Sequence, residues 1–365
     1  RLGVICSVFL FLFLYSIFTF FGIGLSLEPG MEIGGISRWC ERVSDSIFRE
    51  PVNTLTNLAF MVTGLIMFHI LNRDEENVNT FHTLTPIAIL YASAAIFLGP
   101  GSFLMHGTHT EWGGWADNLS MVMYIVIPWL YNFKVMAKWS VSTFFKVYLS
   151  IIVAYGLGRW FLGDGMGIGF SVYGVSIGIW VVSEFLFRFW SQRMRFISGF
   201  IGFLVAAIFG IYPQEIFSNL DQYWWIIFFW LPGLVCNTEP DYERRHFPWY
   251  FVGMFLYISA FVIWLQGYPD QPLCNPDSLI QPHGIWHILC SLATLSFFVF
   301  LRTEQIKKER HKPLFFLNIT YLLGQALTGI TKEVFNTSLI PLTFLENFSK
   351  AFDDVNSVAP SVKVQ

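Results

Sequence analysis

Polar and apolar positions in this chain fall into long blocks instead of alternating. Runs of roughly 17 to 25 mainly apolar residues, the length a helix needs to cross a bilayer, recur along it. The first covers Gly3 to about Leu27, and others fall near 53–72, 83–106, 115–138, 144–163, 167–190, 196–213, 222–237, 249–267 and 282–302. The pattern predicts about ten spans. The run at 222–237 is short. Asn318, Thr320 and Gln325 interrupt a further stretch at 313–330, which fits an extra span or an interfacial helix. No period of about 20 to 50 residues repeats, and no low-complexity linker divides the chain. The expected organisation is an N-terminal anchor helix over 1–27, one membrane domain over 28–303 and a cytosolic tail over 304–365. The first run is too long and too rich in Phe for the apolar core of a signal peptide, so it is read as an anchor that stays.

Composition agrees with that class. The chain is 54% hydrophobic and only 13% charged, with a mean hydropathy of +0.54, which a soluble core could not enclose. The fold class is therefore all-α, a polytopic integral membrane protein embedded in lipid. A net charge of −3, with no basic cluster interleaved with aromatics, sets nucleic acid aside as a partner. Lys and Arg gather on one side of the predicted spans, at Arg73, Lys134, Lys138, Lys146, Arg188, Arg193, Arg195, Arg244, Arg245 and from Arg302 to Lys312. The opposite loops hold mainly Arg38, Arg42, Arg49 and Arg159. The basic side is expected to be cytosolic, with the N-terminus. Cys40 and Cys274 then both lie in non-cytosolic loops, where an oxidising compartment predicts a disulfide, whereas Cys6, Cys236 and Cys290 fall in or near spans.

Ionisable residues at the edge of a bilayer core are costly and tend to be functional. On this topology Ser102, His106, Asp117, His283 and His287 share the non-cytosolic face. Ser102 and His106 are four residues apart, as are His283 and His287, so each pair lies on one helix face. A helical His pair plus His106 makes a three-nitrogen zinc set with a fourth position open to water. Asp117 could then shuttle the water's proton, and Ser102 could hydrogen-bond an oxyanion developing on an attacked carbonyl. Taken singly, each residue has a plainer role. A histidine in an apolar helix is more often a packing residue, Ser102 could bond a carbonyl at a helix break, and Asp117 could cap a helix. His109 and Glu111 read as solvated loop residues, and Glu184 as one half of a local pair. Glu239, Asp241, Glu243, Arg244 and Arg245 read as a cytosolic loop with internal pairing. The sequons at Asn318, Asn336 and Asn347 fall on the cytosolic tail and are expected to be unused.

At several of these positions the chain resembles the alkaline ceramidase family, in the superfamily of seven-span lipid hydrolases that also holds the progestin and adiponectin receptors and the Per1-type proteins. The matching stretches are Trp39-Cys40-Glu41, Glu50-Pro51-Val52-Asn53-Thr54 with Asn57, Gly101-Ser102-Phe103-Leu104-Met105-His106, Asp117, and Gln281-Pro282-His283-Gly284-Ile285-Trp286-His287-Ile288-Leu289. The resemblance covers about 37–303. It implies zinc on His106, His283 and His287, a water managed by Asp117, a transition state stabilised by Ser102, and cleavage of a ceramide to a sphingoid base and a fatty acid. It also implies calcium in the loop before the first core helix, for which Trp39, Glu41, Asp45 and Glu50 are the candidates here. Arg38 stands where an acidic ligand is expected, and the three carboxylates of Glu41, Asp45 and Glu50 are a thin set for a hard cation, so their pairing with Arg38, Arg42 and Arg49 is the favoured expectation. Relative to seven family spans, the chain adds one before Trp39 and about two between Gly167 and His283, an even insertion that preserves sidedness. The resulting expectation is a zinc-dependent lipid amide hydrolase. The alternatives are a lipid or GPI-anchor esterase of the same superfamily and a non-catalytic seven-span receptor or scaffold; a transporter, which would need broken helices with intramembrane charges, ranks below these.

Overall fold

The computed structural model describes residues 2–21 and 26–307. The stretch at 313–330, the rest of the tail and the three sequons lie outside the described residues. The described chain is helical, with one two-residue antiparallel strand pair, β1 (Tyr242–Glu243) and β2 (Gln305–Ile306). Among the described residues, six helices are long and apolar enough to cross a membrane: α1 (Leu2–Phe20), the joined α2 (Pro51–Thr56) and α3 (Leu58–Arg73), α4 (Pro86–Thr108), α5 (Glu111–Met136), α6 (Val141–Leu162) and α13 (Pro282–Arg302). Two more, α7 (Val172–Arg188) and α12 (Trp249–Leu265), have 17 residues each.

The runs expected at 196–213 and 222–237 do not form full-length helices. The first becomes α8 (Gln192–Ile197), a 3₁₀ turn over Ser198–Phe200 and α9 (Ile201–Ile208), with α10 (Pro213–Ser218) after it. The second is 3₁₀ over Trp224–Trp230 followed by α11 (Leu231–Val235), roughly 21 Å of rise against a hydrocarbon core of about 30 Å. Both segments still run between the two ends of the bundle. Phe209, just past α9, lines the same cavity as His283, while Arg195, before it, donates from Nε to the carbonyl of Gly233 at 2.9 Å. Together they make a short pair laid against α7.

Close approach sets the position of α4 against α5. A Cβ on Gly101 would fall 2.5 Å from Oγ of Ser120 and 2.9 Å from the carbonyl of Ala116. Only glycine tolerates that contact, and it presses the neighbouring Ser102 toward the first turns of α5. The long α1 is anchored by Tyr15, whose hydroxyl donates to the carbonyl of Ile47 at 2.8 Å and whose ring meets Phe103 edge-on.

The far end of the bundle is held by buried charge. Arg244 donates to Glu184 at 2.7 Å, to Glu304 from Nε at 2.9 Å and to Asn132 at 2.7 Å, and Tyr131 donates to Glu304 at 2.5 Å. Glu184 thus has its local partners, Arg244 and His246, the latter at 3.1 Å. Internal pairing within 239–245 is not what forms, because the β1–β2 pairing turns Arg244 inward. Asp241 goes to Lys138 and Glu239 to Lys307 instead.

Candidate metal centre

Four helix ends meet opposite that network. α4 finishes at Thr108, α5 starts at Glu111, α2 starts at Pro51 and α13 starts at Pro282. Each start has a local cause. Pro51 and Pro282 occupy first-turn positions where a missing N–H costs nothing, and Thr110 caps α5 by accepting from the amide of Gly113 at 3.1 Å. Thr110 therefore takes the capping role considered for Asp117, which lies two turns into α5 and faces the cavity. The last carbonyls of α4 have no helical partner. The loop before α2 supplies donors, from Arg49 to Gly107 and from Glu50 to His106, both at 3.0 Å.

His106, His283 and His287 converge: one ring nitrogen from each lies within 4.8 Å of the others, and all three side chains are buried. Nε2 of His106 and Nε2 of His283 are 3.1 Å apart, and Nε2 of His287 is 3.3 Å from the Ser102 hydroxyl. Glu50, wholly buried, accepts from Nδ1 of His106, which assigns the His106 lone pair to Nε2. Thr56 contacts Nδ1 of His287 at 3.0 Å. Trp39 stacks on His283 with centroids 4.5 Å apart, while Nδ1 of that ring is buried without a partner. Buried imidazole nitrogens facing one another, backed by an acceptor on the far side of His106, match a divalent metal bound by three neutral ligands, and the donor set suits zinc. The carboxylate of Asp117 faces the Ser102 hydroxyl and His106.

Ser102, Asp117, His283 and His287 line a cavity of about 770 Å³, together with Glu28, Arg38, Glu111, Arg159 and Asp164, and His106 lies beside it against His283. A narrow apolar cavity of about 130 Å³ shares Phe60, Leu98, Tyr173, Tyr257 and Trp286 with it and runs on between α5, α7, α12 and α13 to Trp180 and Phe297.

The calcium candidates are not brought together. Both oxygens of Glu41 accept from the first amides of α2, Val52 at 2.7 Å and Asn53 at 2.8 Å, a carboxylate at a helix N-terminus. Asp45 is exposed and paired with Arg49 at 3.1 Å. Glu50 faces His106 and His109, and the Trp39 ring faces His283. These four residues do not fit a hard cation that needs six or more oxygens. The favoured pairing holds for Asp45 with Arg49 only; Arg38 goes to Glu28 at 2.5 Å and Arg42 to Asp277 at 2.6 Å.

His109 is not solvated. It is fully buried in a left-handed conformation (φ 49°) at the end of α4, with Nδ1 3.3 Å from Glu28 and Nε2 3.3 Å from Glu50. Burial alone would lower its pKa, but Glu28 and Glu50 hold it up at about 9. In return the His109 hydrogen bond, opposed by burial and helped by Arg38, brings Glu28 down to about 2. Sequence reasoning missed Thr56 and Glu28, and it gave Glu50 to calcium. The available signal was the spacing of His109 one turn after His106, with Glu50 as the residue before a helix-starting proline.

The predicted disulfide between Cys40 and Cys274 is present, with Cα atoms 5.6 Å apart, and it ties the loop carrying Trp39 to the segment leading into α13. The Ceramidase family model matches residues 36–323. No curated protein and no solved structure matches the chain.

Proposed function

The chain belongs to the ceramidase family, and on that footing we propose that it is a zinc-dependent lipid amide hydrolase that cleaves ceramide to a sphingoid base and a fatty acid. The observation that carries this reading is the convergence of three buried histidines, two of them lining a cavity shared with Ser102 and Asp117. His106, His283 and His287 would hold the metal. Zinc bound there would polarise an amide carbonyl and lower the pKa of water.

The chain's own groups supply the rest. Asp117 takes the proton of the attacking water as its oxygen adds to the carbonyl carbon. The same carboxyl then returns that proton to the nitrogen as the C–N bond breaks. Ser102 donates its hydroxyl hydrogen to the developing oxyanion. Glu50 and Thr56 orient His106 and His287 from behind. The narrow apolar cavity suits an acyl chain, and it discriminates weakly between chain lengths. The bias of Lys and Arg toward the Arg244 end supports a site on the non-cytosolic face, with the N-terminus cytosolic.

The test is zinc per chain, by elemental mass spectrometry, on detergent-purified wild type and a folded His287→Ala variant, followed by fatty-acid release from ceramides, N-acyl amides and phospholipids. About one zinc in wild type, lost on substitution, and release from ceramide that Asp117→Ala abolishes are expected. No zinc in protein prepared without chelator, or full turnover by Asp117→Ala, overturns the reading.

A further inference from the structure

The contacts around the histidines close on themselves. His106 donates to Glu50, and Glu50 meets Nε2 of His109 at 3.3 Å. Nδ1 of His109 meets Glu28 at 3.3 Å, and Glu28 takes Arg38 at 2.5 Å. The Arg38 guanidinium lies 5.7 Å from the centre of the Trp39 ring, and Trp39 stacks on His283. The circuit leaves one metal-ligand candidate and returns to another, passing through the loop 28–50 in which the family resemblance implies calcium.

Both nitrogens of His109 face carboxylate oxygens. A lone pair on either would be repelled, so the ring stands as the imidazolium, with two donors and no acceptor. The contact with Glu50 is one of charge more than of aligned hydrogen bonding, since no donor geometry links the two atoms. Backbone contacts fix the ring further: the His109 carbonyl accepts from the amide of Glu28 at 2.7 Å, and the His109 amide donates to Met105 at 2.8 Å. A buried carboxylate such as Glu50 needs a compensating positive charge. Here a side chain supplies it.

We propose that His109, with Arg38 behind it, is a built-in cation that takes the place of a bound calcium, closing the 28–50 loop over the three-histidine centre and making that loop independent of divalent cations. His109 is a positioning residue. It holds Glu50, and Glu50 orients His106. The proposal rests on the three-histidine reading for its consequence at zinc, but its calcium arm does not.

The experiment measures calcium and zinc per chain by elemental mass spectrometry on protein purified in millimolar calcium and then desalted, together with thermal midpoints with and without added CaCl2. Wild type is expected to retain no calcium and to keep its midpoint within about 1 °C, because a ligand that does not bind the native state cannot stabilise it. His109→Asp removes the internal cation and leaves three carboxylates facing one another, so calcium should raise its midpoint by at least about 3 °C. His109→Gln should weaken zinc retention by about tenfold, the scale of a lost partner behind a metal-binding histidine. If His109→Gln does not fold, Glu28→Gln, which loosens the ring from its outer side, carries the zinc measurement. About one calcium per wild-type chain, or a calcium-dependent wild-type midpoint, overturns the proposal, as does unchanged zinc retention in the variant measured. Calcium independence in protein that never holds zinc overturns the positioning role and strikes the three-histidine reading with it, whereas calcium binding in zinc-loaded protein strikes the proposal alone.

Discussion

Glu50 and His106 are joined twice, by the side-chain contact between the carboxylate and Nδ1 and by a hydrogen bond from the Glu50 amide to the His106 carbonyl at 3.0 Å. The backbone bond fixes where the carboxylate can reach, and the carboxylate fixes which nitrogen of the ring points into the cavity. Glu50→Gln keeps the size and removes the charge. Zinc affinity is expected to fall by about 10- to 100-fold with helical content unchanged. Competition with a graded series of zinc chelators measures it, and equal affinity in both proteins would separate Glu50 from the centre.

The Cys40–Cys274 bridge holds Trp39 against His283 from the other side. Thiol labelling under denaturing conditions should gain two modified cysteines after reduction, beyond the free Cys6, Cys236 and Cys290. A Cys40→Ser, Cys274→Ser double variant should lose about 2–4 kcal/mol of stability and retain zinc less well. No gain in labelling on reduction would sink the bridge.

Arg302 and Asp74 clamp the far ends of α13 and α3 at 2.7 Å, both largely shielded from solvent. The Arg302 hydrogen bond, opposed by partial burial, holds the Asp74 carboxyl below its ordinary value of 3.8. A folded-state pKa that is lowered contributes stability above the unfolded value and loses it as pH falls through the folded one. Asp74→Asn should therefore cost about 1 kcal/mol at pH 7. The gap between variant and wild-type midpoints should close as pH drops below 3.8. A gap that persists in acid would show that charge is not its source.

Arg244 serves two buried carboxylates at once, Glu184 and Glu304. Arg244→Met leaves both without their cation and is expected to cost about 3–5 kcal/mol, far more than loss of an exposed pair. Removing the carboxylates as well, in a triple variant with Glu184→Gln and Glu304→Gln, should recover part of that loss. Additive losses in the triple variant would argue against the network acting as a unit.

The two helical pairs of the centre, Ser102 with His106 and His283 with His287, show how far local pattern reaches. His283 and His287 are one turn apart on a helix that starts at a proline, so their shared face follows from helix period alone. That His106 joins them was also legible, because the count of crossings between α4 and α13 fixes which end of the bundle each helix presents. The 196–213 and 222–237 segments, expected as full spans, break instead into short helical turns. The carboxylates were another matter. Glu28, Glu41, Asp45 and Glu50 look alike in sequence, and each has a different fate in the fold: an ion pair with His109, a helix N-terminus, a surface pair, and the back of His106.

Bilayer-length apolar runs, the residue types of the centre and the helical spacing of Ser102 with His106 and of His283 with His287 are local properties of the chain, and the sequence alone determined them because the lipid solvent and the 3.6-residue turn act locally. Tertiary structure decided which carboxylate each cation meets and that a histidine one turn beyond His106 sits between Glu28 and Glu50. Those outcomes depend on contacts such as Glu28 with His109 and Arg244 with Glu304, between residues 81 and 60 positions apart. Charge pairing in a buried site is settled by distance and desolvation, which only the packed chain defines.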